Sequence, residues 1–158
     1  RIHLKAPQLV CVLRTHMPYA TALTVRRGGR LAMCEQNALM FKDRSAYDDG
    51  YNGLALDAVE GDRLAATLGN ASALMMAGHG VIVTGRSVAE AFCDLYDLEC
   101  AARTQVLAGS DGSRLLEIPE EVQRRTAEPY RPELPALAAR FFAAHRRMLD
   151  RQEPDYRR

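Results

Sequence analysis

Long apolar runs are missing from this chain: no stretch approaches the ~18 residues of a membrane-spanning helix, and no segment looks like a secretory signal. Those absences argue against a membrane protein and make a cytoplasmic address the expectation. Charge of one sign is equally scarce, with 21 Lys and Arg against 20 Asp and Glu for a net of +1, so no bulk field draws in nucleic acid, acidic substrates or a membrane surface. The four cysteines, Cys11, Cys34, Cys93 and Cys100, form no Cys-x-x-Cys pair, and Cys93 and Cys100 are expected to face the core of a helix as free thiols. There is no internal repeat and no low-complexity segment. Asn70-Ala-Ser72 matches a glycosylation acceptor but carries no weight without secretion. What remains is ample material for one globular domain: 158 residues, 47% of them hydrophobic and 26% charged.

The chain is organised around Val10-Cys-Val-Leu-Arg14-Thr-His16-Met-Pro18-Tyr-Ala-Thr-Ala-Leu23. Val10 to Leu13 is apolar, rich in β-branched residues and too short for a helix, which predicts a strand covered on both faces. Pro18 suits a first helical turn, where its missing N–H is no loss, and Gly28-Gly29 ends that helix. Strand side chains alternate faces, so Arg14 and His16 leave the strand end side by side. A second polar centre lies at Leu74-Met-Met-Ala-Gly78-His79-Gly80-Val-Ile-Val-Thr-Gly85. Two apolar runs flank a Gly-His-Gly, predicting a strand, a tight turn and a second strand, with His79 left uncrowded between glycines. An open histidine in a turn is a candidate ligand or acid/base, and the competing reading is a histidine bonded to backbone.

Taken together, Thr15-His16-x-Pro18-Tyr-Ala-Thr-Ala-Leu23, the Gly-flanked His79 followed by apolar residues and Gly85, and a helix opening at Ser87 resemble the class II aldolase and adducin family. The likeness runs from about Ile2 to Leu107, and the spacing of 79 − 16 = 63 residues between the two motifs fits it. The resemblance implies a fuculose-phosphate-aldolase-like domain in which three imidazoles hold a divalent metal, usually zinc, two from the first motif and one from the second. His16 and His79 match two of those ligands. The family's activities include sugar-phosphate aldolases, a ribulose-phosphate epimerase and a methylthioribulose-phosphate dehydratase.

Two departures from that pattern matter. Arg14 stands at the first family ligand position, and a guanidinium has no lone pair to give while adding a positive charge beside a dication. At ~4 Å and an effective dielectric of ~20, each unit of like charge costs about 4 kcal/mol. The second departure is that the family's catalytic acid and much of its phosphate pocket lie upstream of the first motif, so this chain is expected to be the later part of a longer domain.

Elsewhere the sequence predicts scaffold. Arg1 to Pro7 reads as a helix tail with His3 on its surface. Arg26-Arg-Gly-Gly-Arg30 reads as a basic helix end, with a phosphate contact as the less common alternative. Leu31 to Met33 is expected as a short strand and Cys34 to Phe41 as a helix, with Glu35 either near the site or an exposed helix-start carboxylate. Arg44 to Tyr47 is a strand candidate and Asp48 to Gly53 a turn, where Tyr47 and Tyr51 either reach a substrate or pack. Leu56 to Leu68 has helical spacing, and Ser87-Val-Ala-Glu90 is a capping box for a long helix to about Leu107. Pro119 to Thr126 starts a helix, Glu128 to Pro132 reads as a proline-stiffened connector, and Arg157-Arg158 as a disordered end. The last helix, about Glu133 to Arg151, carries a wide apolar stripe from Leu134 to Leu149 that includes His145, a packing histidine by expectation.

The expected architecture is a three-layer α/β/α domain on a central mixed, mainly antiparallel sheet, with residues 1–108 as its core and 109–158 as a helical extension of the same domain. The expected function is a metal-dependent lyase or epimerase acting on a small sugar-phosphate or hydroxy-carbonyl compound through an enediolate. The alternative is a non-catalytic, adducin-like binding or assembly module. Partners are expected to be a small-molecule substrate and further copies of the chain, most plausibly in a tetramer, with neither nucleic acid nor membrane.

Overall fold

The computed structural model describes residues 1–53 and 57–157; Leu56, the expected start of a helix, and Arg158 of the expected disordered end lie outside them. The chain runs α1 (Ile2–Lys5), β1 (Cys11–Thr15), α2 (Pro18–Thr24), α3 (Gln36–Leu39), β2 (Ser45–Asp48), α4 (Ala58–Leu68), β3 (Ala73–Met76), β4 (Gly80–Gly85), α5 (Val88–Ala108), α6 (Glu120–Tyr130), α7 (Leu134–Gln152) and a closing 3₁₀ turn (Pro154–Arg157). The sheet order is β1-β4-β3-β2. β4 is antiparallel to both β1 and β3, whereas β2 lies parallel to β3, so the sheet is mixed and mainly antiparallel. No helix among the described residues is long and apolar enough to cross a membrane.

Alternation along the strands sends successive side chains to opposite faces, and each face meets its own helices. Ala73, Met75, Val81 and Val83 pack with Ala20 and Leu23 of α2, Ala38 of α3, and Leu98, Ala101 and Ala102 of α5. Leu74, Met76 and Ile82 face the other way onto Leu64 and Leu68 of α4, with Ile2 of α1 beside them. This is the three-layer α/β/α arrangement. β3 and β4, in the middle of the sheet, are buried throughout, which is why they read as continuous apolar runs.

Four local expectations change. β1 is an edge strand rather than a buried one: among the described residues it pairs only with β4, its apolar residues are half-buried and Val10 is 64% exposed. Leu31 to Met33 is not a strand, because its backbone is satisfied by a side chain instead. Buried Gln105 accepts from the Ala32 N–H at 2.8 Å and donates to the Arg30 carbonyl at 2.8 Å. The predicted helix from Cys34 shrinks to one turn, α3, which Glu35 caps by accepting from the Asn37 and Ala38 N–H groups at 2.9 and 2.7 Å. Glu35 is therefore a helix cap. The proline-stiffened connector is also absent, since α6 continues through Pro129 to Tyr130. Proline there forfeits only a bond of the last turn.

The long helix opens as the capping box requires, with Ser87 Oγ accepting from the Glu90 N–H at 3.1 Å. Its outer side carries Phe92 and Tyr96, which meet Phe141, Phe142 and His145 of α7 at ring separations of 5.0 to 6.0 Å. α5 thus covers the middle of the α7 stripe, while Met148 stays 52% exposed. His145 bonds the Phe141 carbonyl through Nδ1 at 3.1 Å, and His3 bonds the Leu9 carbonyl at 2.9 Å, so both are framework histidines. All four cysteines are free thiols; Cys93 is buried and Cys100 half-buried.

Candidate functional site

Between β3 and β4 the chain turns on Ala77-Gly78-His79. Gly78 and Gly80 have φ of +65° and +137°, which a side chain tolerates poorly. A Cβ on Gly80 would also strike the Thr15 carbonyl and lie 3.0 Å from His16 Cδ2, so glycine is what lets β4 pass close under the end of β1. Three elements pin the turn: His79 N–H donates to Met76 of β3 at 3.1 Å, Gly78 N–H to Thr24 of α2 at 3.0 Å, and Ala77 N–H to Asp48 of β2 at 2.8 Å. The imidazole therefore stands on a fixed base.

Both motif residues of the first stretch arrive at it. Arg14, exposed on β1, places a guanidinium nitrogen in hydrogen-bonding contact with His79 Nε2. His16, just past the strand, stacks on His79 with ring centroids 5.3 Å apart and planes 9° from parallel. Tyr51 presents its ring edge-on to His79 at 6.2 Å, whereas Tyr47 is half-buried beneath the Arg30 guanidinium. Because a guanidinium only donates, His79 Nε2 must accept, which fixes the neutral imidazole with its proton on Nδ1. Burial first, then the charges of Arg14 and His16, hold His79 below its ordinary pKa, in agreement with that neutral form.

Two supports were not singled out from the sequence. Glu99 of α5 accepts from the Tyr19 and Ala20 N–H groups at 3.0 and 2.8 Å, capping α2 from across the structure and so holding the His16-Met17-Pro18 entry. Nothing local marks it, since a glutamate in mid-helix is ordinary. Asp48, 7% exposed, takes two hydrogen bonds from Arg63 at 2.8 and 2.6 Å, and Arg63 also binds Glu60 at 2.8 and 2.7 Å. The Arg63 hydrogen bonds hold the Asp48 carboxyl below the usual range. This network sets the end of β2 beneath the turn.

A metal would need a third protein donor at this end. Among the described residues no three His, Cys, Asp or Glu side chains lie close enough to hold one. One of the two imidazoles, His79, already accepts from a cation, Arg14. As it stands, the donor set does not fit a dication.

The placing of both motifs at one sheet end matches what the comparison with family models finds: residues 1–106 fit the Class II Aldolase and Adducin N-terminal domain. The chain belongs to the class II aldolase and adducin family. A putative aldolase class 2 protein of Pseudomonas aeruginosa is 30% identical over 160 residues, covering 99% of this chain and 61% of that protein. Among solved structures, an aldolase II superfamily protein from Pseudomonas syringae superposes with a TM-score of 0.88 at 35% identity, covering 99% of this chain and 62% of that one. L-fuculose 1-phosphate aldolase from Glaciozyma antarctica shares the fold, with a TM-score of 0.77 at 20% identity, covering 96% of this chain and 57% of that one. The chain thus spans about three-fifths of the length of these relatives. In this member of the class II aldolase and adducin family, the guanidinium of Arg14 lies beside His79.

Proposed function

We propose that the sheet end carrying Arg14, His16 and His79 is the substrate site of a class II aldolase-like lyase or epimerase acting on a small hydroxy-carbonyl compound, sugar phosphates included, through an enediolate. The observation that carries this reading is the convergence of residues from two distant motifs on one rigid turn. Breaking a C–C bond or removing a proton beside a carbonyl puts negative charge on oxygen, and the barrier falls with whatever holds that charge. Family enzymes use a divalent metal there, zinc by expectation, but the residues described in this chain supply only two imidazoles towards such a site. Arg14 offers charged N–H donors to such an oxygen. His79, neutral and fixed by its turn, offers a nitrogen that takes or returns a proton once Arg14 engages substrate. In the family the catalytic acid lies upstream of the first motif.

The same reading takes residues 109–158 as a helical extension of the domain, and the protein as a cytoplasmic homo-oligomer, a tetramer by preference. An apolar cavity of about 700 Å³ between α5, α7 and the closing 3₁₀ turn, lined by Val88, Phe92, Met148 and Tyr156, supports association. A second reading, a non-catalytic adducin-like assembly module, is favoured by Arg14 itself. Two measurements on this chain and on a version carrying the upstream segment separate them: elemental analysis, and aldol cleavage of L-fuculose 1-phosphate and simpler ketose phosphates. Turnover by the longer version supports the enzyme. No turnover with any of them, together with no bound zinc, manganese or iron in either version, supports the assembly module.

A further inference from the structure

We propose that the Arg26-Arg-Gly-Gly-Arg30 turn is an anion site that takes the phosphate of a small phosphomonoester, on the α2 side of the His79 turn. The turn lines a cavity of about 490 Å³ whose other walls are Thr24, Asp48, Asp49, Tyr51, Met75 and Ala77-Gly78. That volume suits a compact ligand. Its floor is the same Ala77-Gly78 segment that carries His79, and Tyr51 stands between the two. The proposal rests on the functional reading for its meaning, as substrate recognition, but not for the binding itself.

The charges lining the cavity do not cancel. Asp49 is held by Arg30 through two hydrogen bonds of 2.8 Å. Asp48 is spent on Arg63, at 2.8 and 2.6 Å. Arg26 and Arg27 have no carboxylate or carbonyl partner for their guanidinium groups among the described residues, so two cations are left over at the mouth. The backbone adds donors. Gly29 N–H is used by the Arg26 carbonyl at 2.8 Å, but the N–H groups of Arg27 and Gly28 have no acceptor among the described residues. Gly28 has φ of +64°, and a Cβ on Gly29 would collide with the Leu23 carbonyl, so the two glycines let the turn close tightly over the end of α2. Paired guanidinium groups and free amide N–H groups suit the three acceptor oxygens of a phosphate better than the two of a carboxylate. A basic turn that merely offset the α2 dipole would need no cavity beside it.

The test titrates the chain with inorganic phosphate, glycerol 3-phosphate and acetate, reading calorimetry and amide NMR shifts. The expected result is saturable binding of both phosphates with downfield shifts of the Arg27 and Gly28 amides, and no saturable acetate binding. R26Q/R27Q should weaken phosphate at least ~10-fold, which is about 1.4 kcal/mol. D49N frees Arg30 and should tighten it, a direction that misfolding cannot mimic. R14Q should leave it unchanged. Absence of saturation at millimolar phosphate, equal affinity in R26Q/R27Q, or loss in R14Q alone overturns the proposal. The last outcome would move the anion to the His79 end and leave the functional reading standing; a chain that binds phosphate as described but supports no turnover in its longer version would sink the functional reading instead.

Discussion

Arg14 and His79, 65 residues apart, are hydrogen-bonded guanidinium to imidazole, and this single contact decides which lone pair the site has free. β1 brings the one and the β3–β4 turn the other, with Arg14 opposite Ile82 in the β1–β4 register. An arginine at this place uses the acceptor nitrogen that a metal would use. It also supplies the positive charge that a metal would supply.

Replacing Arg14 by histidine removes a like charge and adds a nitrogen ligand, so both changes favour a dication. Arg14→His should bind zinc or manganese at least ~100-fold more tightly than the present sequence. Calorimetric titration of the two forms checks this. Equal affinities would show that these positions do not make a metal site in this chain.

Within the turn, His79→Ala should cost far less stability than Gly80→Ala. His79 is half-buried and fixed through its backbone, so His79→Ala should cost less than ~1 kcal/mol of stability while removing zinc binding from the Arg14→His background. Gly80→Ala puts a Cβ against the Thr15 carbonyl at a φ of +137° and should cost about 3 kcal/mol or more. Denaturant melts of both variants give the comparison. A His79→Ala loss as large as that of Gly80→Ala would mark the imidazole as framework.

Removing Arg63 leaves Asp48 charged and 7% exposed without its partner. Arg63→Gln should destabilise by about 2 kcal/mol at neutral pH, less than a fully buried pair because the Arg63 side chain is 34% exposed. The sign of the pH dependence follows from Asp48, whose folded pKa lies below its ordinary 3.8. The pair's contribution is complete above 3.8 and is lost as pH falls through the lowered folded value, where the carboxylate takes up a proton. Melts from neutral pH to pH 2 should therefore show wild type and variant converging at the acid end. A gap that stays constant over that range would point to lost packing instead.

The α5–α7 face should hold copies of the chain together. Light scattering at tens of micromolar is expected to give an oligomer, and Met148→Glu, at a position 52% exposed, should shift it towards monomer with a Tm change within a few degrees. A monomeric wild-type chain would show that this apolar surface is left to solvent or to another partner.

Local signals made much of the fold legible. The caps at Ser87 and Asp57, Pro18 in a first turn, the apolar runs of β3 and β4 and the glycines around His79 each act within a few residues, so the sequence shows them directly. Two of the failures share one cause, a distant partner. Leu31 to Met33 has strand-like residues, but Gln105 from α5 takes its hydrogen bonds. β1 has an apolar run, but its neighbours are settled by the sheet order.

The same division holds for the candidate site. By itself the sequence determined that Arg14, His16 and His79 are the polar residues of two motifs and that His79 sits between glycines; residue type and spacing carry all of that. Only the tertiary structure decided that the Arg14 guanidinium turns onto His79 and makes it the neutral acceptor, that Glu99 and the Asp48–Arg63 pair hold the site from other elements, and that the Arg26 and Arg27 guanidinium groups are left without partners among the described residues. Those are contacts between residues far apart in the chain, and each depends on which side chains the packing of helices on the two sheet faces brings within hydrogen-bonding reach.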